Sequence, residues 1–480
     1  MELLNLSLIE LKAKLDAGEV TSEAVVLACL KQIEQTKELN ALISVCKESA
    51  IKQAKEVDAK RKGGKKVGVL AGIPVVLKDN MNYIGSKTTC ASKFLSNYVS
   101  VYNATVTDKL LEEDAVIIAK ANMDEFAMGS SNENSYFDAV KNPNDKTRVT
   151  GGSSGGSVAA VMAKQCFASL GTDTGGSIRQ PSSYCGAVGL KPTYGLVSRY
   201  GVVAMASSLD QVGPITRTVR DNALMLNVLS RGRDKRDMTS IGSDIDYVKE
   251  ITGSVKGLRV GVVKEFFQQG LDADVEAKVR EAIKVLEAGG AKVSEISLPN
   301  MDVALSVYYI ISTAEATSNL ARFDGIKYGL RAENYDGIND LYFKSRTEGF
   351  GKEVKRRIMM GNYVLSSGYF DAFYRKAKAV QKVLMREFDK AFEQFDCLIG
   401  PTAPTTAFKI GEKINDPLSM YLNDVYTVPV NIAGLPAISL PFKTDKAGLP
   451  VGIQLIANKF GESVLYNAAD YIENSLKGGQ

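Results

Sequence analysis

GGSSGGSVAAVMAKQCFASLGTDTGGSIR, residues 151–179, decides how this chain is to be read. Two glycine-serine loops, 151–157 and 174–177, flank an apolar run about as long as one short helix and one strand. Alone, GGSSGGS suits a flexible linker. Two such loops around an ordered apolar unit argue instead for a site, because glycines allow close backbone approach and leave a serine exposed and positionable. The pattern predicts a helix over 158–165, with Ser157 at its start, and a strand over 166–171. A helix leaving the first loop and a strand returning to the second put both loops at one end of the unit. That end is the carboxyl edge of the strand, where open α/β sheets place their sites.

Upstream, VGVLAGIPVVLKDN (67–80) is β-branched and punctuated by Gly and Pro, which predicts a strand over 73–77 with Lys78 at its end. If that strand is a parallel neighbour, Lys78 emerges at the same edge. Lys78, Ser153 or Ser154, and Ser177 then converge.

The chain contains 0 histidines. A Ser-His-Asp triad, a Cys-His pair and a histidine-ligated metal site are therefore excluded, and any base must be Lys, Asp, Glu or Tyr. Residues 152–156 match G-x-S-x-G, but without histidine that nucleophile elbow is empty. Two Ser-x-x-Lys matches, Ser44 to Lys47 and Ser49 to Lys52, lack the accompanying S-D-N and K-T-G elements and read as helix surface. Gly156-Ser157-Val158 does not supply the Gly-Lys-Ser/Thr of a phosphate loop. No metal site is expected.

The remaining chain alternates. Helices are predicted over 8–15, 22–35 (after Thr21) and 47–62, a helical lead-in covering 1–65. Residues 105–113 read as a helix, 115–119 as a buried strand and 122–128 as a loop or helix start. Residues 202–215 carry small residues and a Gly-Pro turn, followed by an amphipathic helix over 217–229. Strands at 257–263 and 292–298 bracket a helix at 274–288. Helical pattern dominates 301–395, and the end returns to α/β with a last helix at 462–476. The economical fold class is α/β, one large mixed sheet covered by helices.

Composition fits a globular chain: 480 residues, 45% hydrophobic and 24% charged. A net charge of +4 is too small for a nucleic-acid surface, and the basic run Lys60, Arg61, Lys62, Lys65, Lys66 reads as a solvated loop. The 6 cysteines form no CxxC pair and read as free thiols of a reducing cytoplasm. The opening residues lack the pattern of a secretory signal, and no apolar run reaches membrane-spanning length.

GGSSGGS followed by GTDTGGSIRQPSSYCGAVGLKPTYG (171–195) resembles the amidase signature family, whose members use a Ser, cis-Ser, Lys triad. The resemblance continues through NMDEFAMGSS (122–131), SLDQVGPITR (208–217), TSNLARFDGIKYG (317–329), TEGFGKEVKRR (347–357) and GPTAPTTAF (400–408). Over nearly the whole chain it is similar to the glutaminase subunits of tRNA-dependent amidotransferases within that family. This implies the amidase signature fold for 66–480. It implies Ser177 as nucleophile, Ser153 as bridging serine in a cis Gly152–Ser153 peptide, and Lys78 as base. A lysine serves only when neutral, so its pKa must fall from ~10.4 toward neutrality; a drop of about three units is worth roughly 4 kcal/mol, within the reach of burial. Amides of Thr174, Gly175, Gly176 and Ser177 can form an oxyanion hole.

The resemblance further implies Arg357 on the α-carboxylate of glutamine and Asp424 on its α-ammonium, and Tyr308 and Met128 are further candidates that read as pocket walls or core. Arg357 as a surface helix charge and Asp424 as a helix cap are the plain alternatives. The implied partners are a B-subunit that binds ATP, Mg and charged tRNA, and a small C-subunit that clasps this chain in a heterotrimer; no cofactor is expected on the chain itself. The other functions weighed are a free-standing amidase on a small amide and a non-catalytic scaffold.

Overall fold

A computed structural model describes residues 3–268 and 270–477. Eleven strands are β1 (Leu42–Val45), β2 (Pro74–Lys78), β3 (Val116–Ala121), β4 (Ala168–Asp173), β5 (Val188–Lys191), β6 (Gln211–Thr216), β7 (Arg259–Val263), β8 (Lys292–Ile296), β9 (Cys397–Pro401), β10 (Ala437–Thr444) and β11 (Pro450–Ala457). They form one sheet in the order β1-β3-β2-β4-β6-β5-β10-β11-β9-β7-β8. The sheet is mixed. β3, β2 and β4 run parallel, as do β9, β7 and β8, and antiparallel pairs join the two groups. β2 and β3 are buried along their length, which is why PVVLK and VIIAKA read as unbroken runs instead of alternating.

Two apolar cores lie against the sheet. Along β9, Cys397 and Ile399 belong to one and Leu398 to the other, as the two-residue period of a strand dictates. The core holding Leu398 also takes Tyr308 and Ile311 from the helix Ala304–Leu320 and Leu384 and Phe388 from the helix Lys376–Gln394. The opposite core is closed by the N-terminal helices, by Ala273–Ala288 and by Glu462–Lys477. Among the described residues no helix is long and apolar enough to cross a membrane.

The lead-in begins as its sequence predicts. Ser7 and Glu10 cap Leu8–Asp16 reciprocally, and Thr21 caps Ser22–Gln35. It is not helical throughout, because β1 lies inside it and pairs antiparallel with β3 at the sheet edge.

Two local expectations change. The helix after the first serine loop is Gly155–Met162 and the returning strand is Ala168–Asp173, each displaced along the chain from the predicted range. Gly213 and Pro214 are not a turn: both lie within β6, between β4 and β5. Gly213 is required there because a Cβ would fall 2.0 Å from the Leu190 carbonyl oxygen. Pro214 cannot donate to a ladder. Its carbonyl accepts the Asn222 side-chain amide at 3.0 Å, and the pairing with β5 begins at Ile215.

Candidate active site

β2 and β4 are directly adjacent and parallel, with Leu77 opposite Leu170, so the last residue of β2 emerges beside the last residues of β4. Lys78 is fully buried there. Its Nζ donates to Ser153 Oγ at 2.8 Å, Ser154 Oγ at 2.8 Å and Thr172 Oγ1 at 2.9 Å, and lies 3.3 Å from the Thr172 carbonyl oxygen. Burial pushes this lysine down to about 7, against the opposing pull of Asp124, Asp173 and Asp210. All four oxygens within hydrogen-bonding distance of it are uncharged. Asp79 is committed elsewhere, to Lys120 at 3.0 Å and to the Thr89 N–H at 2.8 Å.

The Gly152–Ser153 peptide is cis. Gly152 donates its N–H to Gln180 Oε1 at 3.0 Å, Ser153 accepts the Asp124 N–H at 3.3 Å, and Ser154 donates its N–H to the Ser177 carbonyl at 3.1 Å. The first serine loop therefore leans directly on the second. Ser153 and Ser154 are fully buried while Ser177 is 8% exposed, which leaves Ser177 as the hydroxyl of the three that a substrate can reach.

The second loop turns tightly after β4. Gly176 takes φ +133, and a Cβ there would fall 2.2 Å from Thr427 Oγ1, so only glycine fits. Gly175 is covered by Tyr308, whose ring carbon Cζ would lie 2.7 Å from an added Cβ. The Gly176 N–H is donated to Asp173 Oδ1 at 2.9 Å. The amides of Thr174, Gly175 and Ser177 have no protein acceptor among the described residues, so in this geometry three of the four expected oxyanion donors are free.

Asp173 anchors the turn. Its carboxylate accepts the Gly176 and Ile178 amides and both Arg179 Nε and Nη2, each of the latter at 3.0 Å. Burial favours its neutral form, but the Arg179 guanidinium holds the carboxyl well below the usual range. Asp210 accepts the Thr174 hydroxyl at 2.6 Å from the other side.

Of the residues expected to bind substrate, Tyr308 and Asp424 lie against this loop. Thr427 donates to the Gly175 carbonyl at 2.7 Å and lies 3.1 Å from the Asp424 carbonyl, joining Asp424 to the nucleophile turn. Asp424 is buried, accepts the Ser130 hydroxyl and is pushed up to about 7 by burial. Arg357 is buried on the helix Lys352–Leu365, donates from Nε to Glu353 Oε1 at 2.9 Å and lies over the Tyr309 and Tyr421 rings. Burial opposes its charge, and the Glu353 carboxylate keeps it protonated. It is not a surface charge. Arg357 lines a cavity of about 310 Å³ with Gly129, Ser131, Lys413, Met420 and Tyr421. Met128 is fully buried in the same apolar core as Tyr308 and Tyr309.

Asp124, Thr172, Asp173 and Arg179 take part in this arrangement without having been singled out from sequence. Asp173 and Arg179 bracket the GGS turn within GTDTGGSIR, and opposite charges on either side of a tight turn were the available signal.

The amidase family profile matches residues 24–465. The chain is 55% identical over 478 residues to the A-subunit of glutamyl-tRNA(Gln) amidotransferase from Clostridium botulinum, covering 99% of this chain and 98% of that protein. It is 54% identical over 479 residues to the protein of that name from Thermoanaerobacter pseudethanolicus, with the same coverage of 99% and 98%. The crystal structure of the glutamyl-tRNA(Gln) amidotransferase A-subunit from Thermotoga maritima superposes with a TM-score of 0.82 at 42% identity, covering 98% of this chain and 95% of that one. A peptide amidase from Stenotrophomonas maltophilia superposes at 0.84 with 28% identity, covering 98% and 97%.

Proposed function

The chain belongs to the amidase signature family, and we propose that it is the glutaminase subunit of a tRNA-dependent amidotransferase. The observation that carries this reading is the buried, depressed lysine bonded to Ser153, in a loop that leans on the more accessible Ser177, whose turn is joined through Thr427 to the buried Asp424. Relatives that match the chain end to end are named as the A-subunit of such an enzyme.

In the proposed reaction Arg357 holds the α-carboxylate of glutamine and Asp424 its α-ammonium. Ser177 Oγ attacks the side-chain amide carbon. Its proton passes to Ser153, whose own proton passes to neutral Lys78. The amides of Thr174, Gly175 and Ser177 stabilise the oxyanion, which such preorganised donors do at no reorganisation cost. When the tetrahedral intermediate collapses, the lysine proton returns through Ser153 to the leaving nitrogen, and ammonia departs. Water, deprotonated by the same relay, then cleaves the glutamyl ester to glutamate and restores Ser177.

The ammonia serves a partner. On this reading a B-subunit binds ATP, Mg and charged tRNA and converts the ATP-activated side-chain carboxylate of the tRNA-bound glutamate or aspartate to the amide, while a small C-subunit clasps this chain. The assembled enzyme tests the division of labour. Ser177→Ala should abolish amidation with glutamine yet leave amidation from free ammonium; loss of both refutes it.

A further inference from the structure

Glu125 is buried in the turn Glu125–Ala127 after β3. Its Oε1 accepts the Ser92 hydroxyl at 2.5 Å and its Oε2 accepts the Gly351 N–H at 2.8 Å. Gly351 is the N-cap of the helix Lys352–Leu365, which carries Glu353 and Arg357 in its first two turns. A carboxylate at that position meets the positive end of the helix and fixes where it begins. The fit is close, since a Cβ at Gly351 would fall 2.4 Å from Glu125 Oε2. The preceding residue faces the other loop: the Asp124 N–H bonds the Ser153 carbonyl, and Asp124 Oδ2 would lie 2.0 Å from a Cβ on Gly152. Two consecutive residues therefore hold the serine loop and the arginine helix in one frame.

We propose that Glu125 is a positioning residue that sets Arg357 relative to Ser177, so that a glutamine seated by its α-carboxylate presents its side-chain amide to the nucleophile. The inference rests on the glutaminase reading of the site. It requires Glu125 to matter for substrates that carry the amino-acid end and not for the reactivity of Ser177 itself.

Two reagents separate these effects in the assembled complex: 6-diazo-5-oxo-norleucine, which has the amino-acid end of glutamine, and a small alkyl fluorophosphonate, which lacks it. Glu125→Ala should slow labelling by the glutamine analogue about tenfold or more, as misplacement of a binding group does, and raise the KM for glutamine in proportion. Phosphonate labelling should stay within about twofold. Glu125→Gln should restore both, because its amide oxygen can accept the Gly351 N–H while its NH2 donates to Ser92, whose hydroxyl already reaches the Gly349 carbonyl. Gly351→Ala, which keeps the carboxylate but crowds it, should reproduce the Glu125→Ala result and serves if that variant does not fold. Equal loss with both reagents, or undiminished labelling by the glutamine analogue in both variants, overturns the positioning role. Wild-type enzyme that takes the phosphonate but not the glutamine analogue overturns the glutaminase reading, and the positioning role with it.

Discussion

Lys78 and Asp424 are both shifted by burial toward neutral pH, and the two shifts have different signatures. Lys78 accepts a proton only when uncharged, so hydrolysis should rise with pH through its value of about 7. That limb should appear in kcat at saturating glutamine, which reports groups in the substrate complex. Asp424 must be ionised to hold an ammonium, so the KM for glutamine should fall as pH rises through about 7. Rate profiles at saturating and limiting glutamine check both, and a flat kcat profile across this range would remove Lys78 as the base. Asp424 also carries a stability cost. Its folded value is raised above the ~3.9 of an unfolded aspartate, so its contribution is full below that value and is lost as pH rises through about 7. Asp424→Asn keeps an acceptor for Ser130 and removes the buried charge. It should abolish glutamine binding yet raise Tm by a few degrees at pH 8, with the gain shrinking as pH falls toward 4, measured by thermal unfolding.

At the scale of elements, the segment 122–134 ties the site together. Asp124 accepts the Asn132 N–H at 2.9 Å and braces the serine loop, Ser130 bonds Asp424, and the Ser130 carbonyl accepts Gln180 Nε2 at 2.8 Å. The turn containing Asp424 and Thr427 closes the arrangement from the opposite side. Thr427→Val keeps the shape but leaves the buried Gly175 carbonyl without its donor, a loss of about 1–3 kcal/mol. Much of that falls on the oxyanion turn, so kcat should drop about tenfold with a smaller change in KM, and Thr427→Ser should recover most of it. An unchanged kcat would mean that the turn holds its shape without this bond. A strand end, two glycine loops and the missing histidine narrowed the sequence reading to Lys78, Ser153 or Ser154, and Ser177, and only the family resemblance chose Ser153 and assigned the roles. Sequence reading did not reach Asp173–Arg179 or Asp124, whose roles depend on backbone amides that side-chain spacing does not reveal. β1 escaped because four residues between two helices carry too short a pattern, and Gly213-Pro214 read as a turn because tertiary pairing, not local propensity, makes it a strand.

At the scale of the whole molecule, the N-terminal lead-in backs the candidate site. The Ala41 carbonyl accepts the Asn122 N–H at 2.8 Å, the Asn40 carbonyl accepts Asn122 Nδ2 at 3.1 Å, and the Leu39 carbonyl accepts the Lys141 N–H at 2.9 Å. The Ala41 carbonyl oxygen also lies 2.4 Å from where a Cβ on Gly156 would stand, so the lead-in touches the first turn of the helix leaving the serine loop. Its helices bury Leu8, Leu11, Val25 and Cys29 in the common core, and β1 covers the edge of β3. Residues 66–480 alone would expose that edge and core face together, a combination that drives association. This fragment should be recovered as aggregate, and any soluble fraction should melt well below the full chain and lack glutamine hydrolysis. A single change probes the same dependence without truncation. Asn40 sits at φ 55 and its Nδ2 donates to Phe137 O at 2.5 Å, with the Asp138 and Ala139 carbonyls at 3.2 and 3.3 Å. Alanine would lose those bonds and disfavour the left-handed backbone, about 2 kcal/mol in sum. Thermal unfolding and glutamine hydrolysis should decline together in Asn40→Ala. A fall in Tm with full activity would show that the lead-in supports the fold without setting the geometry of residues 122–134.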